Sequence, residues 1–194
     1  MNSRPWLLLF TKLIDKIYEK DPVKNNLSDE KWTNFIGKVL DGVGEKMDCY
    51  VIRRRPENKD DSGEYLNIDA MFIDKGAYEF KAENAEPLVL PEVAVELENS
   101  YTHDKIAYCL WKTMCIRTPL KVLICYQSNE ENVTRLKFHL EKVLLQGKLA
   151  KGTDADVLLF IGNDGKPESG SWNDYFTVFE WQNNKFTPIE DLDW

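Results

Sequence analysis

Long hydrophobic runs are missing from this 194-residue chain. The longest near the start, Trp6-Leu7-Leu8-Leu9-Phe10, stops within a few residues at Lys12, Asp15 and Lys16. A membrane span needs roughly 18 apolar residues, and a secretory leader needs a longer apolar stretch with a small-residue cleavage site. Neither is expected, and a cytoplasmic protein is. Cysteine is scarce: Cys49, Cys109, Cys115 and Cys125 lie in apolar stretches without a C-x-x-C pair. There are only two histidines, His103 and His139, so a zinc site with paired, closely spaced ligands has no anchor. Buried free thiols are the plainer expectation. Positive charge is also short, at 25 basic against 33 acidic residues, a net of −8. That excludes a protein coating nucleic acid through phosphate neutralisation, although it leaves room for a local basic groove. No G-x-x-x-x-G-K, G-x-G-x-x-G or G-x-S-x-G occurs, and the glycine-containing loop 162–171 has no phosphate-binding pattern. Kinase, dinucleotide and Ser–His–Asp chemistry therefore lose their usual signatures.

What remains is an ordinary globular composition, 43% hydrophobic and 30% charged, which suffices for one domain with its own core over 1–194. Two helices open it within 5–45. Trp6, Phe10, Leu13, Ile14 and Ile17 recur at helical spacing after Pro5. Ser28 then caps a stripe of Trp32, Phe35, Ile36, Val39, Leu40 and Val43. The texture turns β-like at 49–55 and again at 65–74, where a Lys75-Gly76 turn into 78–81 reads as a hairpin. Strand 92–99 puts Val93, Val95 and Leu97 on one face. Helix 104–118 follows, with Ile106, Ala107, Leu110, Trp111 and Met114 as its core stripe. The run 121–126 reads as a strand buried on both faces. A Ser128/Glu131 capping box opens a helix that Gly147 closes, 157–161 is a second buried strand, and 175–190 forms a terminal hairpin around Asn183-Asn184. The expected class is α/β, a mixed sheet flanked by helices.

One constellation carries chemistry. Alternation aims Glu96 and Glu98 from the same face of one strand. Such a pair is usually a solvent face, but in a central strand two carboxylates cost desolvation and repulsion unless a cation offsets them. Asp69, if its strand neighbours theirs, adds a third oxygen ligand suited to Mg²⁺ or Mn²⁺.

On these residues the chain resembles the PD-(D/E)xK nuclease superfamily, whose core is a helix, three antiparallel strands, a helix and a fourth strand. Its motif places an Asp on the second strand and (D/E)-x-K on the third. Asn67-Ile68-Asp69-Ala70-Met71-Phe72 and Val95-Glu96-Leu97-Glu98-Asn99 occupy those places, within a nuclease-like core of about 27–161. The resemblance implies a restriction-endonuclease-like fold and a metal-dependent nuclease, a DNA endonuclease. It implies Asp69, Glu96 and Glu98 as catalytic metal ligands for Mg²⁺ or Mn²⁺, nucleic acid as partner, and leaves room for a homodimer. Glu45, ending the second helix, matches the position of an extra acid in many members, although helix-terminal glutamates are common without such a role. The motif lysine is replaced by Glu98, giving E-x-E. Lys105 and Lys112, on the polar side of the next helix with Tyr108, are the candidates to supply the missing charge, Lys105 being taken as catalytic; both could simply solvate that helix. Glu79-Phe80-Lys81 is a rival, literal E-x-K, disfavoured because Pro87, Pro91 and another strand intervene before the helix. Arg53, Arg54 and Arg55 could bind phosphates or keep an edge strand soluble. The alternative function is a catalytically inactive nuclease-fold binding or regulatory protein.

Overall fold

The computed structural model of the chain describes residues 3–20, 29–53, 67–79, 89–151, 154–163 and 175–189. Seven strands, β1 (Cys49–Arg53), β2 (Ala70–Asp74), β3 (Val93–Glu98), β4 (Leu120–Gln127), β5 (Asp156–Asn163), β6 (Phe176–Gln182) and β7 (Lys185–Pro188), form one sheet in sequential order. β2 runs antiparallel to both β1 and β3; β3, β4 and β5 are parallel; and β6 runs antiparallel to both β5 and β7. The protein is therefore α/β with a mixed sheet. Strand β4 is buried along its whole length, as its apolar run from Val122 to Tyr126 requires at the sheet's centre, and the buried Lys121 ammonium reaches the Thr113 and Ile116 carbonyls.

Helices α4 (His103–Met114) and α5 (Glu130–Gln146) make the two parallel crossovers. Right-handed crossovers progressing in one direction put their helices on one face. Accordingly Ile106, Leu110, Leu136 and Leu140 share a core with Leu123, Leu159 and Ile161. Helices α1 (Ser3–Lys20) and α2 (Asp29–Lys46) cover the opposite face, where Trp6, Phe10, Ile36 and Val39 meet Phe72, Val95, Val122 and Phe160. Trp6 stacks on Phe10 at 5.2 Å and meets Phe160 edge-on at 6.0 Å.

α2 approaches β1 so closely that Gly44 leaves no space for a side chain. A Cβ there would stand 2.2 Å from Val51 Cγ2 and 3.3 Å from the Cys49 carbonyl. Valine is short and stiff at χ1, so it cannot swing aside. Gly44→Ala is expected to lower stability by about 1–3 kcal/mol in urea titrations, overriding the gain of roughly 1 kcal/mol that alanine brings to a helix.

Several local expectations are corrected. Asn67 has φ 55°, and this left-handed turn delays β2, so Asp69 precedes the strand instead of lying within it. The Lys75-Gly76 hairpin is replaced by a one-turn helix, α3 (Lys75–Glu79), because Asp74 Oδ1 accepts from the Ala77 N–H at 2.7 Å. Glu79 of the rival E-x-K thus ends a helix, while 80–81 lie outside the described residues, as do Ser28, Arg54 and Arg55. The cap of α5 is Asn129, whose side chain accepts from the Asn132 N–H, and not Ser128. Trp111 is 46% exposed, and Thr113 occupies the core in its place. Cys115 is exposed, unlike the other three thiols. The hairpin of β6 and β7 forms as expected, with Asn183 and Asn184 both at positive φ, where asparagine is tolerated.

Candidate active site

The site is built where β2 and β3 separate under α4. Val93, Val95 and Leu97 face α1 and α2, so strand alternation turns Glu96 and Glu98 towards α4. Glu96 is 1% exposed. The antiparallel register pairs Ala70 with Val95, and continued by one residue it sets Asp69 opposite Glu96. There the ladder has ended, and Asp69 Oδ2 accepts from the Leu97 N–H at 2.7 Å. A side-chain oxygen thus satisfies a backbone donor that strand β2 no longer reaches.

From α4, Lys112 brings its Nζ to 2.8 Å from Glu96 Oε1 and donates to the Asn67 carbonyl. Glu96 Oε1 is otherwise buried without a partner, so this ammonium is what offsets its charge. Burial, and secondarily the charge of Asp69, push the Glu96 carboxyl up to about 7, although Lys112 pulls the other way. For Lys112, burial works against the charged form, but the Glu96 carboxylate and the Asp69 charge outweigh it and raise the ammonium above its ordinary value. The result is a buried acid that changes charge near neutrality, held against a permanent cation, a combination that clusters at functional sites.

The remaining candidates are placed differently. Glu98 shares the face of Glu96, but its Oε1 accepts from the Ser100 N–H at 2.7 Å and its Oε2 lies 3.6 Å from Cys109 Sγ. Burial first, and then the charge of Glu96, push that thiol far up, so Cys109 is no nucleophile. Lys105 is exposed. It lies seven residues before Lys112, about 10 Å along the same side of the helix, so the cation at the acids is Lys112. Glu45 is a further correction. It is exposed on α2, across the sheet from α4, and its charge acts on Lys75 beyond the Asp74 end of β2. That end is roughly 17 Å from Asp69 along the strand. Arg53 is likewise engaged: its Nε and Nη2 bind both oxygens of Asp41 at 2.9 and 2.6 Å, a bidentate structural pair.

Among the described residues no three His, Cys, Asp or Glu side chains form a metal-ligating group. Two carboxylates do approach each other, Asp69 and Glu96, and Glu96 Oε1 already faces the Lys112 ammonium at 2.8 Å. Mg²⁺ is commonly held by one or two carboxylates, with water and substrate phosphates completing its shell. Asp69 and Glu96, and not Glu98 or Glu45, are the residues that would hold such an ion, which would share Glu96 with the Lys112 ammonium.

Sequence spacing named Lys112 but could not rank it above Lys105. Trp111 beside it fits the apolar stripe by spacing but is exposed. Comparison with protein-family models, with curated proteins and with solved structures gives no match. Among the described residues no helix is long and apolar enough to cross a membrane.

Proposed function

We propose that this chain is a metal-dependent nuclease with a restriction-endonuclease-like core, a cytoplasmic DNA endonuclease that hydrolyses phosphodiester bonds. The observation that carries the reading is the Lys112 ammonium at 2.8 Å from Glu96, beside Asp69. It supplies from the following helix the positive charge that the E-x-E motif lacks. The order α2, β1, β2, β3, α4, β4, with three antiparallel strands and a parallel fourth, is the order the resemblance implies, and it supports the same reading.

Asp69 and Glu96 would hold Mg²⁺ or Mn²⁺, which supplies charge neutralisation on the scissile phosphate and an activated water. Lys112 partly offsets the cost of ionising the buried carboxylate and offers an ammonium to a phosphate oxygen. Asp69, anchored on the Leu97 N–H, is oriented without cost at the moment of reaction.

Incubation of the purified protein with supercoiled plasmid, single-stranded DNA and RNA, each with Mg²⁺, Mn²⁺ or EDTA, tests the proposal. Nicking or linearisation that EDTA abolishes is expected. No cleavage of any substrate with either ion would sink it. A specific observation favours the alternative of a non-catalytic binding protein: Asp69 and Lys112 both also bind backbone groups, of Leu97 and Asn67, and so have structural work to do. Retained nucleic-acid affinity without turnover would select that alternative.

A further inference from the structure

The outer side of α4 is unusual for a helix whose inner side is core. Tyr108 is 59% and Trp111 46% exposed, and their rings lie 5.6 Å apart at 27°, a stacked pair open to solvent. Large exposed aromatics that already stack on each other lose little entropy when a further planar group is added. The pair lies on the same helix as the side chains that meet the acids. Cys109, next after Tyr108, touches Glu98, and Lys112, next after Trp111, holds Glu96.

Charge follows the same line. Lys105 and Lys112 lie at i−3 and i+4 from Tyr108, the two spacings that make neighbours on a helix surface. Lys112 is held by Glu96, so the exposed cation beside the ring is Lys105, with Asp104 next to it, in a protein whose net charge is −8. A net charge of this sign favours a contact that does not rest on neutralising many phosphates. Stacking does not depend on net charge, and aromatic platforms flanked by basic side chains are how unpaired bases are held without sequence readout. Exposed Lys105 beside the rings gives a phosphate a partner.

We propose that Tyr108 and Trp111 form a stacking platform for an unpaired nucleotide, with Lys105 taking a flanking phosphate, so that the substrate class is single-stranded or locally unpaired nucleic acid. This rests on the nuclease reading of the adjoining site, but it is testable apart from cleavage.

Fluorescein-labelled oligothymidylate and a labelled duplex of mixed sequence are titrated by anisotropy in EDTA, with the full chain and with Trp111→Ala, Trp111→Phe, Tyr108→Ala and Glu96→Gln. Tighter binding of the single strand is expected. Either alanine variant should weaken it about tenfold or more and leave duplex affinity unchanged, and Trp111→Phe should recover most of the loss. Indole emission that the oligonucleotide quenches in the wild type, but not in Trp111→Phe, would place the base on this ring. Equal affinity for both forms, or alanine variants that bind as the wild type does, would overturn the platform while leaving duplex cleavage, and thus the nuclease reading, intact. Trp111-dependent single-strand binding, with no cleavage by any variant, would instead remove the nuclease reading and keep the platform. A concentration-dependent dimer that Trp111→Ala dissociates, without nucleic-acid binding, would assign the patch to a second copy and overturn the proposal.

Discussion

Glu96→Gln, Asp69→Asn and Lys112→Ala are each expected to reduce cleavage by about a hundredfold to a thousandfold, the range for removing one preorganised charge at a reacting centre. Lys105→Ala and Glu98→Gln should change it far less, because Glu98 is turned onto Ser100 and Cys109 and Lys105 lies two turns from the acids. The three effects should not add, since the groups share one charge network. Lys112→Ala is the sharpest of them. Removing the partner of a buried charge ordinarily destabilises a protein heavily, yet Glu96 titrates near neutrality and can take up a proton when its cation goes. Folding should thus survive at pH 6 while activity is lost, and chemical denaturation alongside initial rates separates the two. If Glu98→Gln and Lys105→Ala abolished turnover while Lys112→Ala did not, the assignment of the cation would be wrong.

These expectations depend on an arrangement only partly legible in the sequence. The neighbourhood of β2 and β3, and the burial of β4 and β5, followed from alternation and apolar runs because those patterns report how many faces of a strand are covered. Glu96 and Glu98 were legible as sharing a face for the same reason. Asp69 was legible as a neighbour but not as a cap on the Leu97 N–H, because that role comes from the turn at Asn67, and a single left-handed residue leaves little trace in a hydrophobic pattern. Choosing Lys112 over Lys105 required knowing where along α4 the strand passes, a tertiary quantity that helical periodicity does not encode. Trp111 misled because its bulk fitted the apolar stripe, whereas the core takes Thr113, whose hydroxyl is satisfied by the Cys109 carbonyl at 2.7 Å. The helix at Lys75 was missed because Lys-Gly suggests a turn, while the deciding group is the carboxylate of the residue before it.

Stability is expected to fall as pH rises from about 4.5 to about 7, and the fall should vanish in Glu96→Gln. The folded protein holds the Glu96 carboxyl at about 7 against an ordinary 4.5, because burial penalises the charged form more than Lys112 repays. Between those values the folded state keeps a proton that the unfolded state has lost. The unfolded state therefore binds fewer protons, and linkage gives a stability that declines with pH across the window. The full displacement corresponds to a loss on the order of 3 kcal/mol, completed by pH 8. Lys112, raised in the folded state, stays protonated throughout and adds no slope there. Glutamine cannot ionise, so Glu96→Gln should equal the wild type near pH 5 and exceed it near pH 8, read as urea midpoints at constant ionic strength. A divalent ion binding Asp69 and Glu96 must displace that proton, so Mg²⁺ should stabilise the wild type more at pH 8 than at pH 6 and Glu96→Gln little at either. Cleavage should rise through the same interval, since the ionised carboxylate is the form that ligates. A wild-type pH profile of stability as flat as that of Glu96→Gln would show that Glu96 remains ionised in the fold, and would remove the charge switch from the mechanism.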